Sequence, residues 1–336
     1  MMQDLESKVI SLAICCGDPS GIGPEIALEA TYRAQQAYAK DKNPVKFILC
    51  GPSAVWERAA AVLSSRMQIA LADLDCVYTA KNVAVLPDYG HATALGGQIA
   101  LSALDDAILL AKSLQVQAIV TAPVCKHSLY QAGVQVPGQT EYLAQAFLVP
   151  RALMMLCDTH LRVILHTIHI PLRRVFDYLS PNMILETLQL ADRYLSPLLK
   201  LAHARLALCA LNPHAGEQGQ LGDEEICYLS PALTLAQEQG LLASGPYPAD
   251  TVFYEAQKGR FDAVIALYHD QAAIALKTNH LDSGVNMTLG LPVIRTSPDH
   301  GTAFDLAGTG RARMASMQQA IHFAVRAAQG RFLKED

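Results

Sequence analysis

Residues 263–267, AVIAL, form a short run that is apolar at every position and stops abruptly on Tyr268-His269-Asp270-Gln271. A run of that length without alternation fits a strand buried on both faces of a parallel sheet. The same design recurs. Residues 9–16 stop at the turn GDPSGIGPE, residues 46–50 at Gly51-Pro52-Ser53, and residues 118–120 at Thr121-Ala122-Pro123-Val124-Cys125-Lys126. Helical stretches are expected over 26–34, from about residue 54, and over 96–113. Further runs at 162–169 and 205–211 are closed by Pro171 and by Asn212-Pro213-His214, with helices expected over 185–194 and 231–239. Strand, turn and helix in repetition confine the chain to an α/β fold. Less regular ground lies at 66–92, where only 83–86 reads as a short strand, and at 245–251, which reads as a proline-stiffened loop presenting Asp250.

A chain of 336 residues exceeds one ordinary domain, and two are expected. Hydrophobic residues make up 51% and charged ones 17%, enough apolar material for large cores. The net charge of -5, with no basic run beyond Arg173-Arg174, argues against nucleic acid and against an anionic membrane surface. No apolar stretch is expected to span a membrane, and the acidic start MMQDLESKV does not read as a leader, so a cytoplasmic location is expected. Eight cysteines include no C-x-x-C pair, and most sit in or beside apolar runs, as buried reduced thiols do. The GDPSGIGPE turn is not a dinucleotide fingerprint, because Pro24 occupies the first helical turn and removes an amide.

Open α/β sheets gather ligands along the rim formed by the carboxyl ends of their strands. His169, His214 and His269 all hold such positions. Each alone is more often structural or solvated than a ligand. Together they point to a three-histidine divalent site with open positions for substrate oxygen. His166 and His169 face opposite sides of one strand, and His169, nearer its end, is the better ligand. His91, His127, His160, His166, His203, His280 and His322 are assigned to surface or packing roles, with His300 set apart by its loop. Lys277, Asn286 and Arg295 are three donors in a segment otherwise made of Gly, Thr and aliphatics, the composition of an anion pocket. Lys126, just past a strand end, is either a carboxylate or phosphate contact or a solvated surface lysine. Thr140 is expected to cap a helix starting at Glu141. Residues 299–308 are rich enough in Gly and small side chains for backbone amides to approach a flat or phosphorylated ligand.

Nine stretches carry a family resemblance: GDPSGIGPE, TAPVCK, GQTEYLA, TIHIPLRRV, LNPHAGE, GPYPADTVF, ALYHDQ, GVNMTLGLPVIRTS and DHGTAFDLAGTG. In order and spacing the chain resembles the 4-hydroxythreonine-4-phosphate dehydrogenases of pyridoxal phosphate biosynthesis, over almost its whole length. The resemblance implies the isocitrate/isopropylmalate dehydrogenase fold, two α/β/α domains with a cleft between them. Residues 1–130 with 300–336 would form the first, on the cofactor side, and 131–299 the second, with metal, substrate and dimer contacts. It implies metal ligands at His169, His214 and His269, and substrate contacts at Gln139, Thr140, Lys277, Asn286 and Arg295. The adenosine end of NAD, with NADP as the alternative, would lie on Asp299, His300, Gly301, Thr302, Asp305 and Gly308. Asp250, Asp270 and Lys126 are candidates for proton handling or ligand orientation, against plainer roles for Asp250 as a loop cap and Asp270 as a helix cap.

The metal so implied is zinc first, with cobalt, nickel, magnesium or manganese as alternatives. The partners are a small phosphorylated substrate and a second copy of the chain, in a homodimer whose active sites draw on both subunits. The reaction implied is NAD- and metal-dependent oxidation and decarboxylation of 4-phosphooxy-L-threonine to 3-amino-2-oxopropyl phosphate and carbon dioxide. The chain departs from the family at Gln139, usually histidine, at Ala272-Ala273, where a glycine is usual, and over 279–283. These departures bear on the substrate, so D-threonate or D-erythronate 4-phosphate and a cyclic dihydrodiol carboxylate stay open. Two other classes remain: a phosphate acyltransferase on a similar fold, which needs no metal, and a non-catalytic dimer stapled by its histidines.

Overall fold

The structure, a computed structural model, describes residues 9–41, 44–74, 76–78, 83–136, 138–278 and 284–332. It contains two compact units, Met1–Pro150 with Leu291–Gln329, and Arg151–Gly290 with Gly330–Asp336. The chain enters the first unit with β1 (Ile10–Cys15), α1 (Gly23–Tyr38), β2 (Val45–Cys50), α2 (Ser53–Leu63), β3 (Cys76–Tyr78), α3 (Ala94–Lys112), β4 (Ala118–Thr121), α4 (Lys126–Gln131) and α5 (Gln139–Ala146). The second unit holds β5 (Leu153–Cys157), β6 (Arg162–Leu165), α6 (Pro181–Leu199), β7 (Leu206–Cys209), α7 (Ser230–Glu238), β8 (Ala243–Tyr247), α8 (Ala249–Gln257), β9 (Ala263–Ala266), α9 (His269–Lys277) and β10 (Val285–Leu289). The chain then returns to the first unit with β11 (Ile294–Pro298) and α10 (Ala315–Ala328).

In the first unit the strands run β3-β2-β1-β4-β11, and every pair is parallel. The register sets Leu12 opposite Ala118 and Arg295 opposite Ile119. Burial on both faces explains the uninterrupted apolar runs: Leu12, Ala13, Ile14, Ile119 and Val120 are fully enclosed. Helix α3 starts where the Thr93 hydroxyl accepts from the Gly96 amide at 2.9 Å. Its Gly97 faces the start of α4 so closely that a Cβ there would lie 2.1 Å from the Ser128 carbonyl oxygen. Only glycine permits that approach.

In the second unit the order is β10-β5-β6-β9-β7-β8. Strand β5 is antiparallel to both β10 and β6, while β6, β9, β7 and β8 are parallel neighbours. One face of this sheet packs Val163, Leu165, Ala207, Val264 and Ala266 against Val252 and Ala256 of α8 and Ala272, Ala273 and Leu276 of α9. That packing fixes the ends of α8 and α9, where candidate polar residues sit.

Several expectations need correction. The first unit extends to residue 150 and resumes at 291, so Gln139, Thr140 and Arg295 belong to it rather than to the second. The reason is pairing: β11 adds to β4, and α5 is tied to both. Helix α5 begins at Gln139 with Gly138 as its N-cap, so Thr140 lies inside the first turn and does not cap it. Residues 83–86 form no strand. The stretch 245–251 is the end of β8 followed by the first turn of α8. Helix α3 does reach membrane-spanning length and hydropathy, but half of that window is buried inside the unit, where Ala100, Ala103 and Ala107 pack. Cys15, Cys16, Cys50, Cys157 and Cys209 are buried free thiols, Cys125 is partly buried, and Cys227 is exposed.

Candidate functional site

In the first unit the end of β4 and the start of β11 meet the start of α5. Arg295, only 3% exposed, donates from Nη2 to the Thr121 hydroxyl at 2.8 Å and from Nη1 to the Thr140 hydroxyl at 3.2 Å. Burial pulls its guanidinium down to about 10, although the Cys15 and Glu141 side chains oppose that shift. A cation enclosed in this way is stabilised by any anion delivered to it. Gln139 Nε2 donates to the Ala122 carbonyl at 3.2 Å. Lys126, exposed at the start of α4, lies alongside, its Cε 3.9 Å from where a Gly138 Cβ would be. Helix α4 is held by Asp18, a fully buried carboxylate whose Oδ2 accepts from the Ser128 hydroxyl at 2.6 Å. Lys126, Gln139, Thr140 and Arg295 are thus brought together, with Thr121 as a member that sequence reasoning missed. Thr121 ends an apolar run, which was the available signal.

Residues 299–310, also in the first unit, are fastened by the GDPSGIGPE turn. The Ile22 amide donates to the Thr302 carbonyl at 3.0 Å, and Gly308 donates its amide to Glu25 Oε1 at 3.3 Å. Glu25 is buried, which pushes its carboxyl up, while the Gly308 and Gly310 amides and Arg66 oppose this. Gly308 has φ +74, and a Cβ there would lie 2.5 Å from the Tyr89 ring. Gly301 has open space on its Cβ side, and His300 and Asp305 are exposed. Asp299 is half-buried, its amide donating to the Ser316 hydroxyl at 3.1 Å.

In the second unit the three histidines follow the carboxyl ends of three adjacent parallel strands: His169 after β6, His269 after β9 and His214 after β7. The rings of His169 and His269 have centroids 5.5 Å apart. His269 Nδ1 pairs with Asp270 Oδ1 at 2.8 Å, which holds the ring and leaves Nε2 for another partner. Among the described residues of the single chain, no group of three His, Cys, Asp or Glu side chains is arranged to hold an ion. The His214 backbone is left-handed, φ 52, and the left-handed run continues to Gln218. His166 is buried and turned away, with Nδ1 paired to the Thr187 hydroxyl at 2.7 Å and Nε2 to the Tyr178 carbonyl at 2.9 Å. Burial lowers its pKa below 6.5.

Asp250 and Asp270 stand in the first turns of α8 and α9, where helix amides favour carboxylates. Neither is the cap residue. Both line one groove of about 500 Å³, with Phe253, Tyr254, Tyr268 and Ile274. From sequence Tyr268 reads only as one of the four polar residues that end the strand, with no role assigned. Lys277 lies in the last turn of α9, half-buried. Asn286, on β10, has its Oδ1 buried with no hydrogen-bond partner in the protein. A buried acceptor of that kind fits a ligand donor.

The sequence pattern of the family described as "Pyridoxal phosphate biosynthetic protein PdxA" matches residues 42–324. The chain belongs to the PdxA family. It is 42% identical over 331 residues to a 4-hydroxythreonine-4-phosphate dehydrogenase of Burkholderia vietnamiensis, covering 97% of this chain and 99% of that protein. The crystal structure of a 4-hydroxythreonine-4-phosphate dehydrogenase from Klebsiella pneumoniae is similar with a TM-score of 0.82 at 34% identity, covering 96% of this chain and all of that one. A terephthalate 1,2-cis-dihydrodiol dehydrogenase from Burkholderia xenovorans is similar at 26% identity, TM-score 0.64, over 94% and 98% of the two chains. PdxA-family membership makes the chain an oxidoreductase of pyridoxal phosphate biosynthesis and implies a nicotinamide cofactor and a divalent metal.

The residues present fit both groups. For a metal, the His169 and His269 imidazoles form a close pair, one of them already oriented by a carboxylate. For a nicotinamide cofactor, residues 299–310 offer glycine-spaced backbone with an open side at Gly301. Of the departures within the PdxA family, Ala272 and Ala273 are buried in α9 against the second sheet. Segment 279–283 and His280 lie outside the described residues.

Proposed function

We propose that the chain is an NAD- and divalent-metal-dependent 4-hydroxythreonine-4-phosphate dehydrogenase. It oxidises 4-phosphooxy-L-threonine and decarboxylates it to 3-amino-2-oxopropyl phosphate and carbon dioxide, with NAD taking the hydride. The observation that carries this reading is the enclosed Arg295 cradle in a PdxA-family chain. Arg295 and Thr140 hold the phosphate, and charge-assisted bonds to a buried guanidinium give that contact its strength; Lys277 and Asn286 are further substrate contacts. Lys126 and Gln139 face the carboxylate end. Asp250 and Asp270, on one groove with Tyr268, move or hold the proton of the substrate hydroxyl and orient the imidazoles. When bound at His169, His214 and His269, a divalent ion, zinc first, supplies Lewis acidity to the hydroxyl and the carbonyl that replaces it. Residues 299–308 hold the adenosine end of NAD.

The site is shared in a homodimer of the cytoplasm. Exposed apolar side chains in the second unit support a protein contact: Phe176 and Ile226, with Tyr254 and Ile274 on the aspartate groove. In such a dimer the imidazole that completes the set comes from either copy.

A second reading changes only the substrate. Gln139 commits its amide nitrogen to the Ala122 carbonyl and carries no charge, which suits D-erythronate or D-threonate 4-phosphate, or a cyclic dihydrodiol carboxylate. NADH formation by purified, metal-loaded protein, with and without chelator, tests both. Chelator-sensitive turnover of 4-phosphooxy-L-threonine with release of carbon dioxide supports the first. Turnover confined to D-erythronate or D-threonate 4-phosphate, or to the dihydrodiol acid, moves the assignment to the second.

A further inference from the structure

Five consecutive residues, His214, Ala215, Gly216, Glu217 and Gln218, have φ of 52, 54, 78, 43 and 58. Four of them carry side chains that disfavour this left-handed conformation, and such runs persist only where surrounding contacts over-determine them. The segment that leads into the run is held by one carboxylate, which also lies against Gly216. Glu225 is 3% exposed; its Oε1 accepts from the Leu211 amide at 2.9 Å and from the Asn212 amide at 2.8 Å, and its Oε2 accepts from Asn212 Nδ2 at 2.9 Å. Asn212 Nδ2 also donates to Glu224 Oε2 at 2.6 Å, so this side chain is held between two acids. Glu225 in turn opens a π-helical turn, Glu225–Leu229, a geometry that inserts one residue into a helix and redirects its side chains.

The fit is close on both sides. A Cβ at Gly216 would lie 2.8 Å from Glu225 Oε2 and 2.9 Å from the Gly222 carbonyl oxygen, so the carboxylate reaches the turn only because residue 216 is glycine. The turn closes through the Leu221 amide on the Gly216 carbonyl at 3.0 Å and the Gln220 amide on the Glu217 carbonyl at 3.2 Å. His214 stands two residues past Asn212 and is exposed at the head of this clamped segment.

Resting on the reading of His214 as a metal ligand, we infer that Glu225 is the positioning residue that fixes the left-handed turn and thereby presents the His214 imidazole to the ion. Every partner of the carboxylate is a donor. Glutamine at 225 keeps the volume but turns one acceptor into a donor, aimed either at Asn212 Nδ2 or at the two amides.

The test uses the full-length protein, stripped of metal and titrated with cobalt(II), whose visible spectrum reports the ligand set. Glu225→Gln should weaken cobalt binding by about 10- to 100-fold, the range for residues that orient a metal ligand, and should alter the saturated spectrum while circular dichroism keeps the native fold. Gly216→Ala should do the same with the carboxylate intact. Wild-type affinity and spectrum in Glu225→Gln, alongside loss of binding in His214→Ala, overturn the inference and leave the ligand assignment standing. A wild-type spectrum in His214→Ala overturns the ligand assignment and the inference together. If Glu225→Gln does not fold, Asn212→Ser replaces it: weakened binding supports the clamp, and wild-type binding refutes it.

Discussion

In the first unit the key cation is enclosed: Arg295 lies on a strand, its fork spanning hydroxyls from β4 and α5 at 2.8 and 3.2 Å. In the second unit the candidate ligands stand just past the strand ends, His169 and His214 exposed, with the rings of His169 and His269 5.5 Å apart. The difference lies in what holds each side chain. Strand register and burial aim Arg295 before any ligand arrives. His169 and His214 stand on irregular backbone and His269 opens α9, its ring paired with Asp270; in the proposed site their final arrangement would also draw on the ion. One half of the chemistry is preorganised by the sheet, and the other is assembled on its rim.

The comparison breaks most sharply at His269. His269→Ala removes one of the paired imidazoles, and turnover should fall to background with metal content, measured by elemental analysis, well below one ion per chain. Full metal occupancy in this variant would place the ion elsewhere. Next comes Arg295→Lys, which keeps the charge but loses the fork. The loss of a hydrogen bond to a charged group costs about 1.5–3 kcal/mol, so KM for the phosphorylated substrate should rise about 10- to 100-fold with metal content unchanged. An unchanged KM would mean that the cradle does not hold the phosphate.

A smaller effect is expected at Gly308. Alanine there meets the Tyr89 ring at a φ of +74 and adds about 1–3 kcal/mol of local strain, which should weaken NAD binding in a fluorescence titration and leave cobalt binding untouched. The smallest effect concerns pH. His166 has a folded pKa below its ordinary 6.5 because it is buried. The unfolded chain therefore binds the extra proton more readily, and the stability contribution present above pH 6.5 is lost as the pH falls through the folded value. Melting temperatures below pH 6.5 should decline less in His166→Asn than in the wild type, and parallel curves would show that the ring titrates normally.

Much of the second unit's rim was legible in the chain. Apolar runs without alternation mark strands buried on both faces, and His169, His214 and His269 follow the ends of β6, β7 and β9 as those runs led one to expect. Edge strand β8 was not legible: Gly245-Pro246 reads as loop, and proline is tolerated there only because an edge strand leaves part of its backbone unpaired. Thr140 looked like a helix cap because its neighbours allow one. Its actual partner is Arg295, 155 residues away. The unit boundaries escaped because no Pro- or Gly-rich linker marks them; they follow from which residues, distant in the chain, pack together.

By itself the sequence determined the α/β class, most strand and helix positions and the family, since each is written in local periodicity or in ordered motifs. Only the tertiary structure decided that β6, β9 and β7 are neighbours, that Arg295 is buried between Thr121 and Thr140, that the GDPSGIGPE turn fastens residues 299–310, and that Glu225 grips the turn bearing His214. These are contacts between residues far apart in the chain or across irregular turns. They arise from strand order, side-chain burial and unsatisfied backbone amides seeking acceptors, none of which has a local signature.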